Sequence, residues 1–360
     1  MNWFQNTIAG LFGIPTLDEV VAFVNNQLNG STDFQSCTND KQKLEKIFSN
    51  PALLKVISLQ CDLFSLGKVY VYKDGKTVES DPFLDMIKKP NPFQDETQLK
   101  WDFMFWNMIG NSYLYADSYI PTVGNKLYVL ENYKMKFPTE MMKWQDKIVL
   151  SNDSIDTIDA FNIEYQYTDG SSTNLQWKYI IHTPDLTNGT GNWFGGQSRI
   201  DALYKVISNS EAALNAKNIN LNYSAKFLVA GQADPKDVTK TPLPEEEKRD
   251  IESKMNGRKK VFAIKSMIDI KRFVSDIGAL KLDECYMHDY FTIGSMFGHP
   301  KDVLEAFNSG TYENQEKARG AFVSYCLQPK GNVWFSALGN FFGYTDKEIL
   351  IDWEHLPFMQ

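Results

Sequence analysis

The sequence lacks most of what announces an enzyme. It has no G-x-x-x-x-G-K-[ST] loop, no G-x-G-x-x-G, no H-E-x-x-H and no G-x-S-x-G. Those are the phosphate, dinucleotide, zinc and nucleophile-elbow signatures. Histidine is scarce, at four (His182, His288, His299, His355), and so is cysteine, at four (Cys37, Cys61, Cys285, Cys326). No two cysteines form C-x-x-C, and four in 360 is far from the density of a disulfide scaffold. A reducing compartment of assembly follows. Cys285, His288 and Asp289 fall on one helical turn, but no second ligand pair matches them, so the turn reads as structural. Asp283 and Glu284 are an acid/base pair in principle. Their place on a packing helix reads instead as exposed or lumen-facing surface. The residues offer no cofactor, no metal site and no catalytic group.

Positive charge is also short. Lys and Arg number 37 against 45 Asp and Glu, a net charge of −8. A protein that coats nucleic acid is usually basic. An acidic chain still suits a wall that DNA slides past, because lasting phosphate contacts would hold the DNA. No apolar run reaches the ~18 residues of a membrane span. The N-terminus has no basic start and no long apolar core, so it is not read as a signal peptide. Trp3, Phe4, Ile8, Leu11 and Phe12 share one helical face. With no Lys or Arg beside them, packing is favoured over membrane binding. The sequons at 29–31 and 188–190 read as chance without a secretory signal.

What is abundant is aromatic, 14% of the residues, a composition suited to cores and interfaces. The length allows two or three domains. Residues 41–65 carry apolar side chains at helical spacing. Val69–Val78 reads as a hairpin turning on Asp74-Gly75. Asp81-Pro82 opens a helix that Lys89-Pro90 closes. Asp95 with Gln98 forms a capping box for a helix ending at Gly110. Strands follow, at 111–119, 126–132, 145–150, 161–167 and 174–182, with a turn at Thr168–Ser171. Residues 1–196 thus read as one α+β domain.

Ser198 and Asp201 then open a long helix with a seam of Ile200, Leu203, Ile207, Leu214 and Leu221. If unbroken to Tyr223 it spans roughly 38 Å. Residues 226–273 read as a β–α–β–β insertion. Its basic cluster includes Lys248, Arg249, Lys254, Arg258, Lys259 and Lys260. Nearby Glu and Asp offset about half of that charge, which favours a solvated face. A second long helix, 277–297, carries Leu282, Tyr286, Ile293 and Phe297 on one stripe. Pro300 opens a short turn, and Asn308-Ser-Gly-Thr leads into a helix from 312 to about 340, kinked or broken at Gln328-Pro329. A last strand lies at 347–354.

Four segments in this order resemble the portal (head-to-tail connector) proteins of tailed double-stranded DNA phages. They are Lys89-Pro-Asn-Pro with Gly110-Asn-Ser-Tyr; Ile180-Ile-His-Thr-Pro-Asp with Phe194-Gly-Gly-Gln-Ser-Arg; Phe297-Gly-His-Pro-Lys-Asp-Val-Leu; and Ser309-Gly-Thr-Tyr-Glu-Asn-Gln-Glu. They span about 230 residues around a helix–insertion–helix plan.

The resemblance implies an α+β portal architecture. Residues 1–196 would be the wing, 197–225 and 274–297 the paired stem helices, and 226–273 the clip. The tunnel loop would lie in 298–313, and 314–360 would form the wing helix and final strand. Family members continue into a helical crown, so the crown here would be short or absent. The family forms rings of about twelve subunits at one capsid vertex, made in the host cytoplasm and kept in the virion. Its partners are the terminase large subunit, the major capsid protein and a head-completion adaptor, with double-stranded DNA in the channel and no membrane. Phe307, Asn308, Ser309, Gly310, Thr311, Tyr312 and Glu313 would face DNA. Arg258, Lys259 and Lys260 would contact terminase and adaptor. Two other classes remain open: a monomeric α+β enzyme acting on DNA with residues 226–273 as a lid, and a virion adaptor without a channel.

Overall fold

The computed structural model describes residues 39–122, 126–141, 161–187, 194–223, 227–231, 268–272, 281–305 and 312–359, with the single helical positions 246, 249 and 253. They fall into two compact units, divided at 210/211 and at 287/288.

In the first unit, the apolar stretch 41–65 is two helices, α1 (Asp40–Ser49) and α2 (Pro51–Ser65). Asn50 causes the break. Its extended backbone ends α1, and its side chain accepts from Leu53 N at 3.0 Å to cap α2, which Pro51 opens. The hairpin β1 (Lys68–Lys73) and β2 (Lys76–Val78) turns as expected, with positive φ at Asp74 and Gly75. Asp81 caps α3 (Pro82–Lys88). Asp95 and Gln98 close both bonds of a capping box on α4 (Glu96–Ile109).

The strands form small antiparallel sheets. β3 (Asn111–Ala116) lies between β4 (Leu127–Leu130) and β8 (Ile180–Pro184). β6 (Asn162–Gln166) lies between the short β5 (Met135–Lys136) and β7 (Ser172–Gln176). The run read as one strand over 174–182 is divided, because a 3-10 turn at Trp177–Tyr179 passes the chain from the β7 sheet to the β8 sheet. The expected strand at 145–150 lies outside the described residues.

The long helix α5 (Arg199–Tyr223) runs unbroken and crosses the division between the units. Its buried seam passes through Ile200, Leu203, Ile207 and Ser210. Leu214, expected there, is only half-buried. The second unit contains the antiparallel pair β9 (Phe227–Gly231) and β10 (Ile268–Arg272). Helix α6 (Leu282–Met296) returns, and the short α7 (Lys301–Leu304) follows.

The last helix is not broken at Pro329. α8 (Tyr312–Phe322) passes through a π segment, Val323–Leu327, into α9 (Gln328–Phe341). Proline has no N–H to give, and its ring crowds the carbonyl four residues back. The wider π turn takes up that mismatch while the helix continues. β11 (Glu348–Asp352) then pairs with β1, which closes the sheet β11-β1-β2 across nearly the whole chain length.

The core lies between α2, α4, α9 and β11. Phe103 stacks on Trp334 with centroids 3.7 Å apart and planes 8° from parallel. Phe64 touches Phe103, Trp334 and Trp353, and Trp353 Nε1 donates to Leu63 O at 2.8 Å. A side chain at Gly67 would meet Ile351 and Trp353 at 2.7 Å, so glycine there lets β11 close over α2.

Candidate functional site: the base of the 305–312 connection

The segments that stood out in the sequence meet as joints. In the first, Asn91 Oδ1 accepts from Phe93 N and Gln94 N, each at 3.0 Å, while its amide donates to Leu127 O at 2.9 Å. The Pro-Asn-Pro turn is thereby fixed to β4. In the second, Gly196 N donates to Asn111 Oδ1 at 2.5 Å, and Tyr113 Oη donates to Phe194 O at 2.6 Å. A Cβ at Gly196 would lie 2.6 Å from Gly110 O and from Pro184 Cβ. The Gly110-Asn-Ser-Tyr and Gly195-Gly196 segments are therefore two sides of one contact.

Beside that contact lies a charged cluster. Asp185, whose side chain is fully buried, accepts from Arg199 Nε at 2.8 Å and from Lys330 Nζ. Arg199 also donates to Met296 O at 2.8 Å, and Lys330 to Asn107 Oδ1 at 3.1 Å. One carboxylate thus ties the end of β8 to the start of α5, the end of α6 and the start of α9. Sequence reading missed this cluster. Its signal was Lys330, the single charged residue between Gly320 and Thr345.

The exit from α6 is built around Gly298 and His299. Gly298 has φ +86 and faces Cys326, whose Sγ would lie 3.1 Å from an added Cβ. His299 N donates to Gly294 O at 2.9 Å. Its ring, 3% exposed, stacks on Phe322 with centroids 4.2 Å apart. Gly294 leaves room for Leu304 of α7. The result is a packed base from which the chain leaves α7 and into which α8 returns.

Burial pushes the His299 imidazole down to about 4. The folded ring is therefore neutral where an unfolded histidine still binds a proton. Its stabilising effect is complete above the unfolded value of about 6.5 and is lost as pH falls through about 4, a change of about 3 kcal/mol. Denaturant unfolding at pH 7 and at pH 4.5 should show this loss in the wild type. His299→Phe, which keeps the stack, should remove that part of it. Identical pH dependence in both proteins would refute the assignment.

Of the expected DNA-facing residues, 307–311 lie outside the described residues. Tyr312 and Glu313 open α8, so the connection is helical again two residues earlier than a loop through 313 implies. Arg258, Lys259 and Lys260 lie outside the described residues. Cys285 and His288, read as a structural, packed turn, are instead exposed on α6, and among the described residues no group of three or more His, Cys, Asp or Glu is placed to hold an ion. No helix among them is long and apolar enough to cross a membrane.

A family model described as "Phage portal protein" matches residues 56–352. The chain belongs to the phage portal protein family. The matched span takes in every joint described above. Curated proteins give no match. Among solved structures, a chain from the neck of an empty gene transfer agent particle, computed with C6 symmetry, aligns over 90% of this chain and 87% of its own at 17% identity, TM-score 0.66. A chain from the neck of the native particle, computed with C12 symmetry, aligns over 93% and 91% at 16% identity, TM-score 0.63. An HK97-family phage portal protein from Corynebacterium diphtheriae aligns over 85% and 93% at 10% identity, TM-score 0.52. At these identities the likeness is one of fold. The portal family is structural rather than catalytic, and the α+β portal fold expected from the sequence is the fold observed.

Proposed function

We propose that this portal protein forms a ring at one capsid vertex, through which the genome is packaged by the terminase and later ejected, and on which head–tail connector proteins assemble. The family match over residues 56–352 carries this reading. The fold shared with chains of symmetric particle necks supports it. In this reading the wing comprises residues 1–196 and 314–360, the stem 197–225 and 274–297, and the clip 226–273. Arg258, Lys259 and Lys260 of the clip meet the terminase and then the adaptor. The subunit's net charge of −8, repeated around a ring, gives a wall that repels phosphates and leaves DNA free to slide.

Phe307–Glu313 form the tunnel loop and its edge. The packed base suits that role: Gly298, His299, Leu304 and Phe322 hold both ends of the connection while the residues between them meet DNA. They touch or constrict the duplex without reading bases. Replacing Phe307–Tyr312 with a Gly-Ser stretch of equal length should leave the ring intact and shorten or destabilise the packaged genome, measured by gel sizing of DNA from purified particles. Full-length, retained genomes in that variant would sink the loop assignment.

A further inference from the structure

Beyond exposed Lys317, the outer face of α8–α9 carries no charge from Ala321 to Ser336. Its exposed positions include Ala321, Ser324, Tyr325, Pro329, Val333 and Ser336, spaced three or four residues apart where the steps follow the helix. They form one stripe about 22 Å long at 1.5 Å per residue. Tyr325 is 86% exposed and Val333 61%. A water-facing helix stripe ordinarily carries charged side chains, as α2 does with exposed Lys55 and Asp62. Here the one charged residue of the run, Lys330, turns inward to Asp185. Loss of charge around an exposed tyrosine is the composition of a contact surface.

A second unusual surface lies on α4 and the turn before it. Phe93 is 82% exposed and lines a cleft of about 220 Å³ with Gln98 and Trp101. Trp101 stacks on Phe105, which touches Phe48, itself 61% exposed. The core stack relates the two surfaces. Phe103 of α4 lies against Trp334 of α9. A step of two residues turns a helical side chain about 200°. Trp101 therefore points away from the stack on the α4 side, and Ser336 points away from it on the α9 side. The two surfaces occupy opposite flanks of one core.

We propose that these flanks meet between neighbouring copies of this chain, the uncharged face of α8–α9 in one seated on the Phe93–Trp101 surface of the next. The proposal rests on the ring reading above. A ring closed by one repeated contact needs two different surfaces on opposite flanks, whereas a two-fold dimer needs only one. The occupant is a second copy because the chain offers both halves of such a contact, and because chains of this fold come from particle necks computed with C6 and C12 symmetry.

Val333→Asp and Phe93→Asp each place a charge on one flank at an exposed position. Each full-length variant should keep the wild-type circular dichroism spectrum and melting midpoint, yet run as a monomer in native mass spectrometry where the wild type is a ring. Thr77→Asp, on the exposed hairpin, should leave the ring intact. Mixing Val333→Asp with Phe93→Asp pairs one sound flank from each, so the expected product is a dimer that cannot grow. Rings that persist in either single variant, or are lost equally in Thr77→Asp, would overturn the interface. A mixture that stays monomeric would overturn the pairing of these two flanks. A wild-type chain that is monomeric at every concentration would instead overturn the ring reading on which the interface rests.

Discussion

Asp185→Ala is expected to lower the stability of the first unit by about 3–5 kcal/mol, the range for removing one partner of a buried ion pair. Its side chain is fully buried, and Arg199 and Lys330 are each mostly buried against it. Removing the carboxylate leaves two cations with no counter-charge at a point where four elements meet. The cost comes from those stranded charges rather than from the strength of the pairs. Asp185→Leu combined with Arg199→Met and Lys330→Met should therefore be much less harmful than Asp185→Ala alone. Urea unfolding followed by circular dichroism reads both. A triple variant as unstable as the single one would show that the ionic geometry itself holds the joint. A single variant within about 1 kcal/mol of wild type would remove the cluster from the account.

Trp334→Ala should cost about 3–5 kcal/mol, the range for truncating a large buried aromatic. Trp334 is fully buried, stacks on Phe103 and touches Phe64 and Phe335. Its indole N–H, however, has no hydrogen-bond partner. An unsatisfied buried donor costs about 1–3 kcal/mol. Trp334→Phe keeps an aromatic plane against Phe103 and removes that donor, so it should recover most of the loss. The same urea titration separates the two. Equal loss in both variants would mean that an aromatic plane against Phe103 does not hold the site and that the whole indole is needed.

Local chemistry made much of this fold legible. The Asp74-Gly75 turn, the Asp81-Pro82 start and the Asp95/Gln98 box depend on neighbours within a few residues, and all three form as read. Features set by distant contacts were not legible. Asn50 divides 41–65, and its side chain also donates to Ser210 Oγ at 2.8 Å, on the seam of α5. An apolar pattern passes over Ser210 because the residue is polar. The turn at Trp177–Tyr179 separates two sheets whose pairing a single strand does not announce. At Pro329 the rule that proline ends a helix omits the π turn that accommodates it.

The candidate site shows the same division. Its position between two helices could be read from Pro300 and from the polar run before Tyr312. The Asp185 cluster could not, since Asp185 and Lys330 are 145 residues apart. The family was visible because its segments are joints, and joints constrain residue type where surfaces do not. Gly196, held against Gly110 O and Asn111, is one such residue.

The π segment has a further consequence for those joints. A π turn holds one residue more than the α turn it replaces. Deleting one residue within Val323–Leu327 would restore ordinary winding and leave the setting of α8 nearly unchanged, but winding all the present residues as α-helix would turn α8 about 100° around its axis and move it 1.5 Å along it. Phe322 would leave the face of His299, and Tyr312 would deliver the incoming chain to a different side of the helix. The aim of the 305–312 connection is thus set by how the helix is wound as well as by residue type: the π turn takes up a single surplus residue and so keeps α8 in register with its base.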